Sequence, residues 1–505
     1  MNFSQAESYL DTLQMHKIKL GLEAMQSFLA KVGGPEQRLR FVHVAGTNGK
    51  GSVCVTLLTA LRQAGFTVGM YTSPHLSTVR ERIRLNDEYI SEEEFSELAA
   101  KVIEVLGGEA ITYFEFVTAV ALLWYERRQP DLVILETGMG GRLDATNVVT
   151  PLVSLVTSIS MDHQAYLGDT LTAIATEKAG IIKKNIPVVA AGGAAEVTQV
   201  LTKAATAKQA PLYLLGRDFS YENDSGSRWH WHGQTAPLTG EITGLACAMK
   251  GAYQHENAAL AIAALRLLAG HGFTVDDRSL RAALLAVRWP GRLEFFQLSG
   301  DALIPILFQF RLLTPSGGFA ATSLKEGGGM KTQVLGQQAP LFEGGGPKGR
   351  GEFQGGLTHP EIRNRMSQSL PGVEAKSVRF LLDGAHNADG VAKLAATLRQ
   401  DYAGLPLILL WGAMSDKDIR SGLAALSPLC QRVVLTRAAG ERAAELEQLL
   451  ACMPTDERHK AILARQPAEA LAKAIHLAGE TGLVVIAGSL YLLGELRPIL
   501  LGEIA

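Results

Sequence analysis

A lysine and a hydroxyl at the mouth of a glycine-rich turn are the most chemically pointed residues of this chain. The run His43-Val44-Ala45-Gly46-Thr47-Asn48-Gly49-Lys50-Gly51-Ser52 follows a largely apolar stretch, 41–45, that reads as a buried strand. A helical pattern follows over 53–64. Strand, glycine turn with lysine and hydroxyl, helix: this is the layout of a phosphate-binding loop. Glycines let backbone N–H groups approach phosphate oxygens, the lysine adds charge at the terminal phosphates, and the hydroxyl can hold Mg²⁺. Two residues, not four, separate Gly46 from Gly49, and Gly51 parts Lys50 from Ser52, so the spacing is not the common Walker pattern. The plain alternative is an ordinary tight strand–helix turn. Lys50 at a helix start has no packing role, which favours nucleotide phosphate binding. The candidate phosphate-loop residues are Gly46, Thr47, Asn48, Gly49, Lys50, Gly51 and Ser52.

Two more polar clusters follow apolar runs. Leu132-Val133-Ile134-Leu135-Glu136 reads as a strand with Glu136 at its C-terminal end, followed by Thr137-Gly138-Met139-Gly140-Gly141-Arg142-Leu143-Asp144-Ala145-Thr146-Asn147. Ligands of parallel α/β sheets bind at that edge. A carboxylate delivered there, facing a phosphate loop, is a natural Mg²⁺ ligand, directly or through water. A single acid often only caps or pairs with a neighbouring base, but the glycine–arginine–aspartate run that follows favours a site. Ser160-Met161-Asp162-His163 ends the next apolar run, and Glu177-Lys178 lies beyond it. A lone histidine is more often structural than a ligand. Three strand-end polar clusters in one unit favour a shared site, and packing alone does not account for Lys178.

These clusters need a scaffold, and the chain is long enough for one. Its 505 residues can build two or three domains with substantial cores. A net charge of −2 offers no basic field for nucleic acid. The cysteines Cys54, Cys247, Cys430 and Cys452 show no metal or redox spacing, so reduced thiols are expected. The N-terminus is polar, with Glu7 and Asp11, and lacks the regions of a signal peptide. No apolar run reaches membrane-spanning length. The expectation is a soluble cytoplasmic enzyme. Over 1–293, strand-like runs alternate with helical patterns, as in an α/β parallel sheet; one helix is predicted over 257–269. A second alternating block starts near Val378. Its predicted strands are 379–382, 405–411, 432–435 and 483–486, with helices at about 390–398, 418–426, 442–450 and 468–477. That is a smaller Rossmann-like sheet.

Further words complete the picture: Tyr71-Thr72-Ser73-Pro74-His75-Leu76, Tyr253-Gln254 with Asn257-Ala258, Trp289-Pro290-Gly291-Arg292, Asp383-Gly384-Ala385-His386-Asn387, Asp416-Lys417-Asp418 and Gly488-Ser489-Leu490-Tyr491. In this order, with the clusters above, they are highly specific. The chain resembles the folylpolyglutamate synthase/dihydrofolate synthase family of Mur ligases along nearly its whole length. The resemblance implies a phosphate-loop ATPase domain with a parallel sheet (1–293), then a smaller Rossmann-like domain (377–505), with the active site between them. It implies ATP and Mg²⁺, an acyl phosphate formed on a carboxylate, and attack by the amine of glutamate. Lys50, His163 and Lys178 are the catalytic candidates, and Lys178 matches the lysine that is carbamylated in the family. Asn257 and Arg292 match positions that meet ATP from the first domain, Asp383 and His386 those that meet it from the second. Ser52, Ser73, Glu136, His163 and carbamylated Lys178 would organise the metal. Ser73-Pro74-His75 points to the folate branch and supplies candidate pterin-binding residues.

The substrates implied are dihydropteroate or reduced folates, L-glutamate and ATP, on a monomer that binds neither nucleic acid nor membrane. A ligase for a UDP-muramoyl acceptor is the nearest alternative, and the Ser73-Pro74-His75 word argues against it. A catalytically inactive nucleotide-binding homologue is the other, and the intact Lys50, Glu136, His163, Lys178, Asp383 and His386 argue against that. One stretch departs from the family. Residues 299–376 replace a short strand–turn–strand passage with a glycine-rich segment, in which Lys325-Glu326-Gly327-Gly328-Gly329-Met330-Lys331 and Phe342-Glu343-Gly344-Gly345-Gly346-Pro347-Lys348 share a degenerate core. Its composition leaves little to bury, so a disordered surface insertion is expected.

Overall fold

The computed structural model describes residues 1–14, 21–224, 228–298, 303 and 377–503. The expected insertion, 299–376, lies outside the described residues except for Leu303.

Short, β-branched, apolar runs form the first sheet. Its strands are β1 (Phe41–Ala45), β2 (Val68–Tyr71), β3 (Ile83–Leu85), β4 (Glu88–Tyr89), β5 (Leu132–Glu136), β6 (Val153–Val156), β7 (Val188–Ala190) and β8 (Leu212–Leu214). They lie in the order β4-β3-β2-β5-β1-β6-β7-β8. From β2 to β8 all neighbours are parallel, while β3 and β4 add an antiparallel edge. Every residue of β1, β5 and β6 is buried, as a parallel sheet covered on both faces requires. Alternate residues of β1 serve opposite faces: Val42 and Val44 join one core, Phe41 the other. The first core is closed by the helices Lys50–Gln63, Tyr253–Ala269 and Asp277–Ala286, the second by Phe3–Gln14, Glu23–Lys31, Glu92–Leu106 and Tyr113–Arg128. The helix Lys50–Gln63 is buried continuously over 52–61, so the turn that precedes it stands on a fixed base.

Alternation of strands and helices does not hold throughout 1–293. Three antiparallel strands, β9 (Phe219–Asn223), β10 (Trp229–Gly233) and β11 (Gly240–Leu245), make a separate sheet in the order β11-β10-β9. Its signal is the period-two run Trp229-His230-Trp231-His232, whose tryptophans are fully buried against the helix Tyr253–Ala269.

The second sheet contains β12 (Glu294–Leu298), β13 (Val378–Leu382), β14 (Leu407–Trp411), β15 (Arg432–Thr436), β16 (Ala461–Ala464) and β17 (Leu483–Ala487) in the order β12-β13-β17-β14-β15-β16. All pairs are parallel except β12 with β13. Helices Ala388–Asp401, Ile419–Leu426, Leu446–Cys452, Pro467–Ala478 and Leu490–Leu501 complete it. Four of its strands match the predicted runs within a few residues. The short, alanine-flanked β16 was not foreseen, and the helix predicted at 442–450 begins only at Leu446. The strands on either side of that segment, β12 and β13, pair antiparallel with Leu298 opposite Val378, and what joins them lies outside the described residues. Among the described residues, no helix is long and apolar enough to cross a membrane.

Candidate active site

The glycine turn after β1 begins the site. Gly49 caps the helix Lys50–Gln63 in the left-handed region, φ 91°, and a Cβ there would run into Asn257 Oδ1. Glycine meets both demands. The helix start leaves its first-turn N–H groups without intrahelical acceptors, the ordinary basis of an anion site. Lys50 folds back over the turn: its Nζ donates to Gly46 O at 3.1 Å and Thr47 O at 3.2 Å, and lies 3.9 Å from Glu136 Oε1.

Two buried ionisable groups face this lysine. Glu136, 3% exposed, ends β5. The backbone N–H of Ser73, just past the neighbouring β2, donates to Glu136 Oε2 at 3.4 Å. Burial lifts the Glu136 carboxyl to about 7, against the pull of Lys50, the Ser73 amide, Arg292 and Arg82. Lys178, 4% exposed, ends the helix Leu171–Ala179 and donates from Nζ to Gly46 O at 2.7 Å. Burial, and then repulsion from Lys50, lower its ammonium to about 7. Two lysines thus share one carbonyl, and one of them is readily a neutral amine near pH 7. Among the described residues, no three His, Cys, Asp or Glu side chains gather as a preformed metal cage. A carbamate on Lys178 would add an oxygen ligand to the cleft that Glu136 also lines. Magnesium sites commonly combine one or two carboxylates with substrate phosphates, so the residues present fit this metal.

The second sheet supplies the opposite wall. Asp383, buried beyond β13, accepts from Leu293 N at 2.9 Å and from Ala385 N at 2.9 Å. Burial raises its carboxyl, opposed by Arg292 and the two amides. His386 donates from Nδ1 to Gly384 O at 2.7 Å, which leaves Nε2 as an acceptor 3.9 Å from Asp162 Oδ2. Burial and Lys417 hold His386 uncharged, down to about 4. His163 has φ 51° and starts the helix Gln164–Leu167. Its surface is exposed at the cleft mouth, yet the walls around it desolvate the ring and lower it to about 4, against the pull of Asp162. Desolvation pushes Asp162 up, but His163 and Lys417 overcome it and hold the carboxyl well below its ordinary range.

A polar seam joins the two sheets across this cleft. Lys417 Nζ donates to Asp162 Oδ1 at 2.7 Å, and Asn387 Nδ2 donates to Asp162 Oδ2 at 3.0 Å. From the phosphate loop, Asn48 Nδ2 donates to Asp389 Oδ2 at 2.7 Å. Sequence reading gave no role to Asn387, Asp389 or Lys417. For Asn387 and Lys417 the signal available was the words Asp383-Gly384-Ala385-His386-Asn387 and Asp416-Lys417-Asp418, whose residues meet the first sheet only in three dimensions; Asp389 stands in no such word.

One cleft is lined by Gly46, Thr47, Asn48, Gly49, Lys50, Gly51, Ser52, Ser73, Pro74, Glu136, His163, Lys178, Asn257, Arg292, Asp383 and His386. Those are all the candidate residues except His75. Its Nδ1 instead accepts from Arg82 Nε at 2.8 Å, and burial followed by Arg82 lowers it to about 3. Tyr253, quoted above only as part of a motif word, and Glu256 and Lys393, which no motif word contains, also line the cleft.

The comparisons with known proteins agree with this layout. Residues 44–265 match the Mur ligase middle domain, and residues 365–490 the Mur ligase glutamate ligase domain. The chain is 30% identical to the dihydrofolate synthase/folylpolyglutamate synthase of Bacillus subtilis over 98% of both chains. The Escherichia coli enzyme of the same name is 37% identical over 59% of this chain and 68% of its own. Among solved structures, Escherichia coli FolC in complex with DHPP and ADP superposes with a TM-score of 0.76 at 26% identity, covering 100% of this chain and 98% of that one. A bifunctional folylpolyglutamate synthase/dihydrofolate synthase with Mn, AMPPNP and L-glutamate bound gives 0.74 at 26% identity, over 99% and 98%. With both Mur ligase domains matched and similarity along the full length, the chain belongs to the dihydrofolate synthase/folylpolyglutamate synthase family of Mur ligases.

Proposed function

We propose that this protein is an ATP-dependent ligase that joins L-glutamate to dihydropteroate and to reduced folates through an acyl phosphate. The observation that carries the reading is the convergence of Lys50, Glu136 and Lys178 from one sheet with Arg292, Asp383 and His386 at the edge of the other. The solved relatives bound to ADP and DHPP, or to AMPPNP, Mn and L-glutamate, support the same substrates for this chain. The domain division proposed with it is an ATP-binding domain over 1–293, an insertion over 299–376 and a C-terminal domain over 377–505, and the match to the glutamate ligase domain already begins at residue 365.

Each residue then has a task. Lys50 and the first-turn amides of its helix hold the β- and γ-phosphates and neutralise the charge that grows as the phosphoryl group moves. Asn257 and Arg292 hold the nucleotide from the first domain, Asp383 and His386 from the second. Ser52, Ser73, Glu136, His163 and carbamylated Lys178 would hold Mg²⁺, which would supply positive charge to offset that of the phosphates. Carbamylation needs a neutral amine, which burial makes available at Lys178. The acid substrate's carboxylate displaces ADP at the terminal phosphate, giving an acyl phosphate. The glutamate amine attacks its carbonyl, phosphate leaves, and the cleft keeps water from competing. Ser73 and Pro74 border the acid side, with His75 behind them. The protein works in the cytoplasm as a monomer on small-molecule substrates.

Turnover measured side by side with dihydropteroate, a reduced folate and a UDP-muramoyl acceptor, each with ATP and glutamate, tests this. ADP release with both pterin acceptors is expected. Release with only one narrows the activity, and release with the muramoyl acceptor alone overturns the reading.

A further inference from the structure

Beneath the loop that follows β5, three buried side chains form a line of hydrogen bonds that the reaction above does not use. His43, in the middle of β1, has no exposed surface. Its Nε2 lies 2.8 Å from Thr146 Oγ1, which in turn lies 2.5 Å from Asp144 Oδ1. Asp144 Oδ1 also accepts from Thr146 N at 3.0 Å, and Oδ2 from Met139 N at 2.9 Å. His43 Nδ1 meets no partner among the described residues.

Counting protons fixes the direction of the line. Burial raises the Asp144 carboxyl, while the Thr146 hydroxyl and the amides of Met139, Thr146 and Gly138 aimed at it favour the ionised form; ionised, it accepts from both amides and from the threonine hydroxyl. The hydroxyl has one proton and has given it away, so His43 must donate to it from Nε2. Nδ1 then carries a bare lone pair, which matches its lack of a partner. The reverse order needs a proton on Asp144 and leaves an N–H at Nδ1 buried without an acceptor, the costlier state. Burial, and then Lys183, keep the imidazole uncharged.

The line ends where the loop is anchored. Asp144 caps the short turn Ala145–Val148 and holds the amide of Met139, five residues back. Gly138, Met139 and Gly140 line the cleft, and Arg142 N donates to Glu177 O at 2.7 Å, beside Lys178. The loop follows β5, between the Ser73 side of the cleft at β2 and the phosphate loop at β1. We propose that His43 is a positioning residue which, as its Nε2–H tautomer, donates through Thr146 to Asp144 and holds the loop 138–147 in the shape that seats the carboxylic-acid substrate. The seat's substrate rests on the ligase reading above; the tautomer does not.

Thr146→Val removes the hydroxyl at nearly constant volume, and Thr146→Ser restores it. Thr146→Val should raise KM for dihydropteroate about tenfold, the worth of one buried hydrogen bond, with KM for ATP unchanged. Thr146→Ser should recover most of that loss. Nitrogen NMR, with His43 assigned by difference against His43→Gln or by its shift in Thr146→Val, should show the proton on Nε2. A proton on Nδ1, an unchanged KM in Thr146→Val, or equal losses for both substrates with no rescue by serine would overturn the proposal. If dihydropteroate does not turn over at all, the ligase reading fails, and the NMR result alone decides the hydrogen-bond line.

Discussion

At the residue scale the proposed chemistry rests on three side chains: Lys50, Glu136 and Lys178. Lys50 reaches over the turn and contributes little to a core, so Lys50→Ala should fold normally. Its turnover should fall more than about 100-fold, as for other lost electrostatic contacts at a transferring group; circular dichroism with steady-state rates checks both halves. Lys178 is different, because its burial has a cost. Its folded-state pKa is lowered to about 7, so the folded protein binds fewer protons than the unfolded chain above that value. Stability of the unliganded protein from this group therefore rises with pH above about 7 and is lost as pH falls toward it. Glu136, raised to about 7, acts oppositely and loses stability as pH rises from its ordinary range toward 7. Lys178→Met should be inactive yet melt no lower than wild type at neutral pH without nucleotide. If the amine is carbamylated, bicarbonate should raise the wild-type rate more at about pH 8 than at about pH 6, and small carboxylates should partly rescue Lys178→Ala. Full activity in Lys178→Arg would remove the carbamate. The types of these residues were legible in sequence because each stands at a strand end or helix end. Their pKa values were not, since desolvation depends on what the rest of the chain stacks around them.

At the scale of the element, the turn and its helix behave as one unit. Gly49 stands at φ 91°, where any other L-residue costs about 1–2 kcal/mol, and its missing side chain leaves room for Asn257. Gly49→Ala should therefore lower the melting temperature and weaken ADP binding together, as calorimetry can measure in one sample. Strong apolar periodicity made the helices Lys50–Gln63 and Tyr253–Ala269 and the central strands readable. Two kinds of element escaped. Strand β16 is four residues long with alanine at both ends, and it pairs only because β15 offers it an edge. The sheet of β9, β10 and β11 interrupts the alternation because its alternating tryptophans fill space left beside a helix more than 20 residues later.

The two sheets meet at the scale of the whole molecule through Asp162, Lys417, Asn387, Asn48 and Asp389. With side chains 10% and 15% exposed, Asp162 and Lys417 form the best-shielded ion pair of this seam. Lys417→Ala leaves Asp162 without its ammonium. The variant should show a larger radius of gyration by small-angle scattering without nucleotide, and a smaller difference once ADP is bound. The 299–376 segment gives a second test. Leu298 and Val378 are directly opposed across β12 and β13, so the ends of the segment lie close together, and Leu303 packs into the core beside Val378. A chain that keeps Leu303 and has 313–360 replaced by a short Gly/Ser linker should fold and keep ligase activity; loss of activity with the fold retained would give that segment a part in the reaction. Read linearly, the order of residues pointed to the glycine turn and the strand-end acids as a site and established the two α/β blocks and the family, because these depend on local period, glycine placement and motif order. Packing alone decided that Arg292 and Asp383 face Lys50, that His75 turns to Arg82, and that Asp162 pairs with a lysine 255 positions away. Those outcomes depend on which strand lies beside which and how the two sheets abut, and no local stretch of chain encodes contacts between segments so far apart.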